Sequence, residues 1–193
     1  MTDVVAGGGT ALLIIDMINR LDFEGGEALR PHAEQAAQAV LNLRAQADAA
    51  GAAVIYCNDN HGDWTHDRQA LIAAALEGEP PGRALVERLR PRAEDYLVIK
   101  PQFSSFYATT LPAILPRLSV SKLVLTGVSA DICVLFTAAD AHMREYSLWI
   151  PSDAVAGEDD DRTRWALEIM RTSMAAETRP TTELDLADWL QQA

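Results

Sequence analysis

The sequence predicts an α/β protein with an open, mostly parallel, doubly wound sheet. Short apolar runs of four to six residues recur along the chain with little polar alternation, as strands covered on both faces do. Between those runs, apolar residues return at helical spacing, so strand and helix alternate. That order implies right-handed βαβ units. No long Pro/Gly/Ser linker interrupts them, and 193 residues suit one domain of about 100 to 200 residues, here spanning 1–193.

The first strand runs from Ala11 to Ile15 and ends at Asp16, and the second runs from Ala53 to Cys57 and ends at Asn58. Tyr96 to Ile99 ends at Lys100, Leu123 to Thr126 ends at Gly127, and Ser147 to Ile150 is a fifth candidate. Ala36, Val40, Leu43 and Ala47 share one helix face, and Gly51 suits the position just past that helix. Ala70 to Leu76 reads as a short helix, Leu85 and Leu89 mark another before Pro91, and Trp165, Ile169 and Met170 mark a late one. Residues 132 to 143 are apolar nearly all round, with Thr137, Asp140 and His142 as exceptions. Such a helix needs cover on two sides, which predicts association with a second copy.

Charge limits the partners. Sixteen Lys and Arg face 28 Asp and Glu, a formal charge of −12, which repels nucleic acid and anionic membrane surfaces. No run reaches the roughly 18 apolar residues of a membrane span, and the N-terminus lacks the pattern of a secretory signal. A cytoplasmic protein with a small-molecule substrate is expected. Its two cysteines, Cys57 and Cys133, are too few for a disulfide framework and wrongly spaced for a zinc ribbon or a C-x-x-C redox motif.

Ligands of open α/β sheets bind beyond the carboxyl ends of the strands. Three reactive side chains fall there: Asp16 after the first strand, Lys100 at the end of the third, and Cys133 in the helical turn after the fourth. Any one of them alone has an ordinary structural explanation as a cap, a solvated strand end or a packing residue. Together they form a chemical set. A thiolate is the nucleophile, a helix start and a nearby cation favour it, and a carboxylate can take its proton.

These residues resemble the isochorismatase-like, or nicotinamidase-related, cysteine hydrolases. The resemblance rests on "LLIIDMIN" at 12–19, "IKPQFSSFYATTL" at 99–111 and "LVLTGVSADICVLFTAADAHMREYSLWIPSDAVA" at 123–156, in the family's order and spacing. It implies a Rossmann-like three-layer α/β/α fold with five or six strands and an Asp16-Lys100-Cys133 triad. Cys133 would attack an amide, carbamoyl or related carbon and pass through a thioester. The resemblance further implies a cis peptide at Val128–Ser129, with the amides of Ser129 and Cys133 forming the oxyanion hole.

The loops leave several choices. Phe23, Trp64, Phe103 and Phe106 follow strands and are candidate substrate-binding residues, with Tyr107 beside them. Residues 58 to 81 are a candidate covering loop. Nicotinamidases carry a metal-binding D-x-H, which Asp59 and His61 fit, with His66 as a third ligand. Asn60 replaces the tryptophan usual within that motif, and the surrounding residues are turn formers, so no cofactor or metal is expected. The acidic run at 158–161 reads as the first turn of a helix. The glycines at 7–9 precede their strand and so make no dinucleotide loop. Two other functions stay open: vinyl ether hydrolysis of the isochorismatase type, and a thiol redox protein using Cys57 as the resolving partner of Cys133.

Overall fold

The computed structural model describes residues 9–191, so two of the three early glycines lie outside the described residues. Six strands form one sheet: β1 (Thr10–Ile15), β2 (Ala53–Asp59), β3 (Tyr96–Lys100), β4 (Lys122–Val128), β5 (Ser147–Trp149) and β6 (Val155–Ala156). Their order is β3-β2-β1-β4-β5, with β6 beside the end of β4, and these strands pair in parallel. The two-residue β6 is too short to leave an apolar run in the sequence.

Alternation within the strands separates two apolar layers. Leu12 and Ile14 of β1 pack with α1 (Gly26–Ala50), α2 (Arg68–Leu76), α3 (Arg83–Arg88) and α7 (Leu186–Gln191). Ala11, Leu13 and Ile15 face α4 (Leu111–Arg117), α5 (Leu135–His142) and α6 (Asp160–Ser173). The result is a three-layer α/β/α fold. The chain winds outward from β1 through β2 to β3, then returns to β4 on the other side of β1. That reversal opens a crevice at the carboxyl ends of β1 and β4.

Local chemistry sets the helix ends. Gly51 has φ 65° and caps α1, with Ala52 N donating to Ala47 O at 2.9 Å. Asp159 accepts from Arg162 N at 2.8 Å, while Asp160 and Asp161 occupy the first turn of α6, as the acidic run predicts.

One expectation about a helix face needs correction. Trp165 and Ile169 do not join Met170 in the core: they are 57% and 45% exposed, and Ala166 and Met170 form the buried stripe instead. Residues three or four apart share a face, but Ile169 and Met170 are adjacent and diverge around the helix axis, so packing selects the smaller stripe. Within one chain, the helix after Cys133 is covered on one side. Val134, Ala138 and Ala141 are buried, whereas Phe136 and Met143 are 50% and 71% exposed.

Candidate active site

At the end of β1, Asp16 takes a left-handed backbone conformation, φ 52°, and its N–H donates to Cys57 O at 2.9 Å. The side chain then lies over the carboxyl edge of the sheet. Asp59, at the end of β2, donates its backbone N–H to Asp16 Oδ1 at 2.7 Å. Asn58 ties the neighbouring loop down, accepting from Ile18 N at 3.0 Å and donating to Ile18 O at 3.1 Å.

Lys100 ends β3, two strands from β1. Adjacent strands lie about 4.8 Å apart, so roughly 10 Å must be bridged, which needs a long side chain. Lysine supplies it. Nζ reaches Asp16 Oδ2 at 2.8 Å, Cys133 Sγ at 3.4 Å, Gln102 O at 3.3 Å and Asp59 Oδ2 at 3.5 Å. The lysine is wholly shielded and Asp16 is nearly so.

Cys133 belongs to a single π-helical turn (Ala130–Val134) that joins β4 to α5. Val134 N donates to Ser129 O at 3.2 Å, closing the wider loop, and the Val128–Ser129 peptide is cis. Close approach of β1 and β4 brings the turn to Asp16. Gly127 permits it: its φ is 109°, and a Cβ there would lie 2.0 Å from Ile15 O. Cys133 is half-buried, and its sulfur and Asp16 Oδ2 both lie within reach of Lys100 Nζ. The structure therefore brings the three expected residues together in one cleft.

Electrostatics correct one detail of the sequence reading. Burial, then the negative charge of Asp16, pushes the Cys133 thiol up to about 12, outweighing the neighbouring ammonium. Burial also raises the Asp16 carboxyl above its usual value, against the pull of Lys100 and its hydrogen bonds. For Lys100, burial works downward, but Asp16, Cys133 and Asp59 together hold the ammonium above the ordinary lysine range. Burial thus favours the protonated thiol, beside Asp16 and Lys100 held 2.8 Å apart.

A polar seam fixes the loop after β3 against α5. Ser104 Oγ donates to Asp140 Oδ2 at 2.5 Å, Ser105 N donates to Thr137 Oγ1 at 3.0 Å, and Thr137 Oγ1 donates to Ser105 Oγ at 3.1 Å. The seam holds together the segments that follow Lys100 and Cys133. Thr137 and Asp140 were visible as polar breaks in an apolar helix, but nothing in the sequence paired them with "SS" at 104–105.

The predicted aromatic wall divides. Phe23, Trp64 and Phe103 are 46%, 78% and 49% exposed on the loops after β1, β2 and β3, and Phe103 meets Phe136 with ring centroids 5.6 Å apart. Phe106 is not part of such a wall. It is buried in the second core layer beside Tyr146, under the Arg144 guanidinium, because its loop turns inward at Ser104–Ser105. In the candidate metal loop, Asp59 Oδ1 accepts from His61 N at 2.7 Å and His66 Nε2 lies 3.2 Å from Asp63 Oδ2. Among the described residues, no group of three or more His, Cys, Asp or Glu is placed to hold a metal ion. No described helix is long and apolar enough to cross a membrane.

An acid, an amine and a thiol thus gather at the switch point of a doubly wound α/β sheet. The chain belongs to the isochorismatase family, whose Isochorismatase domain model matches residues 10–183, and it is a hydrolase of that family. An uncharacterized isochorismatase family protein, YaaI of Bacillus subtilis (strain 168), is 38% identical over 167 residues, covering 86% of this chain and 91% of that relative. The ureidoacrylate amidohydrolase RutB of Yersinia enterocolitica is 29% identical over 178 residues, covering 78% and 77%. The crystal structure of N-carbamoylsarcosine amidase from Thermoplasma acidophilum superposes with a TM-score of 0.71 at 28% identity, covering 91% of this chain and 98% of that one.

Proposed function

We propose that the chain hydrolyses a C–N bond of a small amide or carbamoyl compound through a thioester on Cys133. The observation that carries this reading is Lys100 Nζ placed 3.4 Å from the sulfur of the half-buried Cys133 and 2.8 Å from Asp16 Oδ2, so that one ammonium joins thiol and carboxylate. Relatives named as amidohydrolase and amidase support a C–N substrate.

In the first half-reaction the sulfur attacks the carbonyl carbon as its proton moves to Asp16. The oxyanion that forms faces the amide N–H groups of Ser129 and Cys133, at a helix start whose first N–H groups have no carbonyl partner within the helix. Collapse breaks the C–N bond, and Asp16 gives its proton to the departing nitrogen. In the second half, water attacks the thioester carbon and gives a proton to Asp16. The C–S bond then breaks, and the sulfur recovers that proton. Lys100 stabilises the Asp16 carboxylate and the anionic sulfur whenever either carries the charge. Phe23, Trp64 and Phe103 contribute apolar contact to substrate.

No metal takes part in this scheme. The Asp59 carboxylate serves Lys100 and the His61 amide, which supports a structural role for the D-x-H segment. Nor does the scheme need a resolving thiol, since Cys57 lies wholly buried in the sheet and burial pushes it up to about 12. The exposed Phe136 and Met143 support association of chain copies, read by light scattering.

The test is Cys133→Ala assayed for ammonia release over a panel of carboxamides and N-carbamoyl compounds, with intact-mass detection of the acyl-enzyme in the parent. Loss of turnover together with an adduct mapped to Cys133 supports the reading. Turnover that persists in the variant removes it.

A further inference from the structure

The carboxyl ends of the strands carry an uneven charge. The loop after β1 contributes Arg20, Asp22 and Glu24, and the loop after β2 contributes Asp59, Asp63 and Asp67. The loop after β3, residues 101–110, has no charged side chain. Beyond β4 lies Asp131, and beyond β6 lie Glu158 and Asp159. Asp153 follows β5, so carboxylates come from five of the six strand ends, and cations are few.

Those cations are engaged. Arg20 Nε lies 2.7 Å from Asp22 Oδ2, and its Nη1 donates to the carbonyls of both Ala74 and Glu77. Lys100 serves Asp16 and Asp59. Arg162, in the first turn of α6, lies 2.5 Å from Asp131 Oδ2. Arg83, at the start of α3, is held by the carbonyls of Leu76 and Gly78 and by Glu87. A substrate carboxylate arriving here would meet repulsion from the acidic loops, and binding it would require breaking one of these pairs. An ammonium would meet the acidic loops with three exposed rings, Phe23, Trp64 and Phe103, and ring faces attract cations.

We infer that the cleft selects an uncharged or cationic substrate bearing an apolar group and discriminates against carboxylate-bearing ones. This rests on the proposed hydrolysis at Cys133 and narrows its substrate class. It also separates the chain from vinyl ether hydrolysis of a dicarboxylate such as isochorismate.

Two measurements test the inference independently of each other. The first needs no turnover. Cys133 is modified at pH 8, where unperturbed histidines are neutral, with methanethiosulfonates bearing a trimethylammonium or a sulfonate group. The sulfur forms a disulfide and methanesulfinate leaves. Relative to 2-mercaptoethanol, the cationic reagent is expected to react at least about tenfold faster than the anionic one at 0.01 M salt. That ratio should shrink towards one at 1 M salt, where the screening length falls to about 3 Å. Asp59→Asn should lower it, and Cys133→Ala should remove the labelling. A ratio at or below one at low salt overturns the inference.

The second measurement follows ammonia release from benzamides carrying para aminomethyl, hydroxymethyl or carboxylate groups. kcat/KM lower for the carboxylate than for the other two supports the inference, and the carboxylate as best substrate overturns it. If no benzamide is cleaved, the hydrolysis of this amide class fails while the reagent ratio still decides the charge preference.

Discussion

Lys100 Nζ lies 2.8 Å from Asp16 Oδ2, with both side chains almost wholly withdrawn from water. Each is the condition for the other's charge. An isolated buried ammonium or carboxylate would shed its charge, whereas the pair, with the Asp59 N–H on Asp16 Oδ1, keeps both. In the proposed reaction this pair supplies the base beside the thiol.

Asp16→Asn should therefore separate stability from activity. The amide cannot take the thiol proton, and loss of a positioned base costs about 10² to 10⁴ in rate. Folding should survive, since Asp59 still faces Lys100 at 3.5 Å. The check is single-turnover kinetics alongside urea unfolding. Wild-type rate in a folded Asp16→Asn protein would show that another group takes the proton.

The pH dependence follows from the same pair. The proposed reaction starts with Asp16 ionised and the thiol protonated. Because burial raises Asp16, the acidic limb of kcat/KM should fall above the ordinary aspartate value of 3.8. As pH drops through that raised value, Asp16 gains a proton and activity is lost. At the alkaline side, iodoacetamide alkylation of Cys133 should climb steadily from neutral pH towards about 12, with no plateau near neutrality. A plateau below pH 8 would mean a standing thiolate and a different first step.

The seam between the β3 loop and α5 gives a third outcome. In Thr137→Val the Ser105 N–H loses its acceptor in a buried place, and such a loss costs about 1 to 3 kcal/mol. The urea midpoint should fall by a corresponding amount. kcat should fall more than KM rises, because the loosened segment follows Lys100. An unchanged midpoint would mean that water or another group replaces the hydroxyl.

How much of this was readable beforehand depends on range. Strand runs ending at Asp16, Lys100 and just before Cys133 are local signals, and the rule that ligands gather at strand ends turned them into a site. The pairing of Ser105 with Thr137 spans 32 residues and depends on how a loop folds back, for which the sequence holds no periodic mark. Phe106 shows the same limit: within "FSSFY" its neighbours Phe103 and Tyr107 are exposed and it is core, a choice made by the turn at Ser104–Ser105. The thiol's environment was misread in sign, because a nearby cation is visible in a motif and burial is not.

A second buried ion pair, Arg44 with Asp95, gives a control far from the chemistry. Arg44 of α1 contacts both Asp95 and the Tyr56 hydroxyl, and Asp95 also accepts from Arg92 N at 2.6 Å. Asp95 immediately precedes β3 and Lys100 ends it. Residues in a strand advance about 3.3 Å each, so the Asp95 backbone lies roughly 16 Å along the strand from that of Lys100. Arg44→Met strands a buried carboxylate and should cost about 3 to 5 kcal/mol in urea unfolding. Arg44→Met with Asp95→Leu should recover most of that, because the uncompensated charge is gone. In both variants kcat/KM per folded molecule should match the parent, whereas breaking Lys100 from Asp16 must lower it. A double variant no more stable than the single one would mean that Tyr56 and Arg92, rather than the charge pair, hold α1 to the sheet.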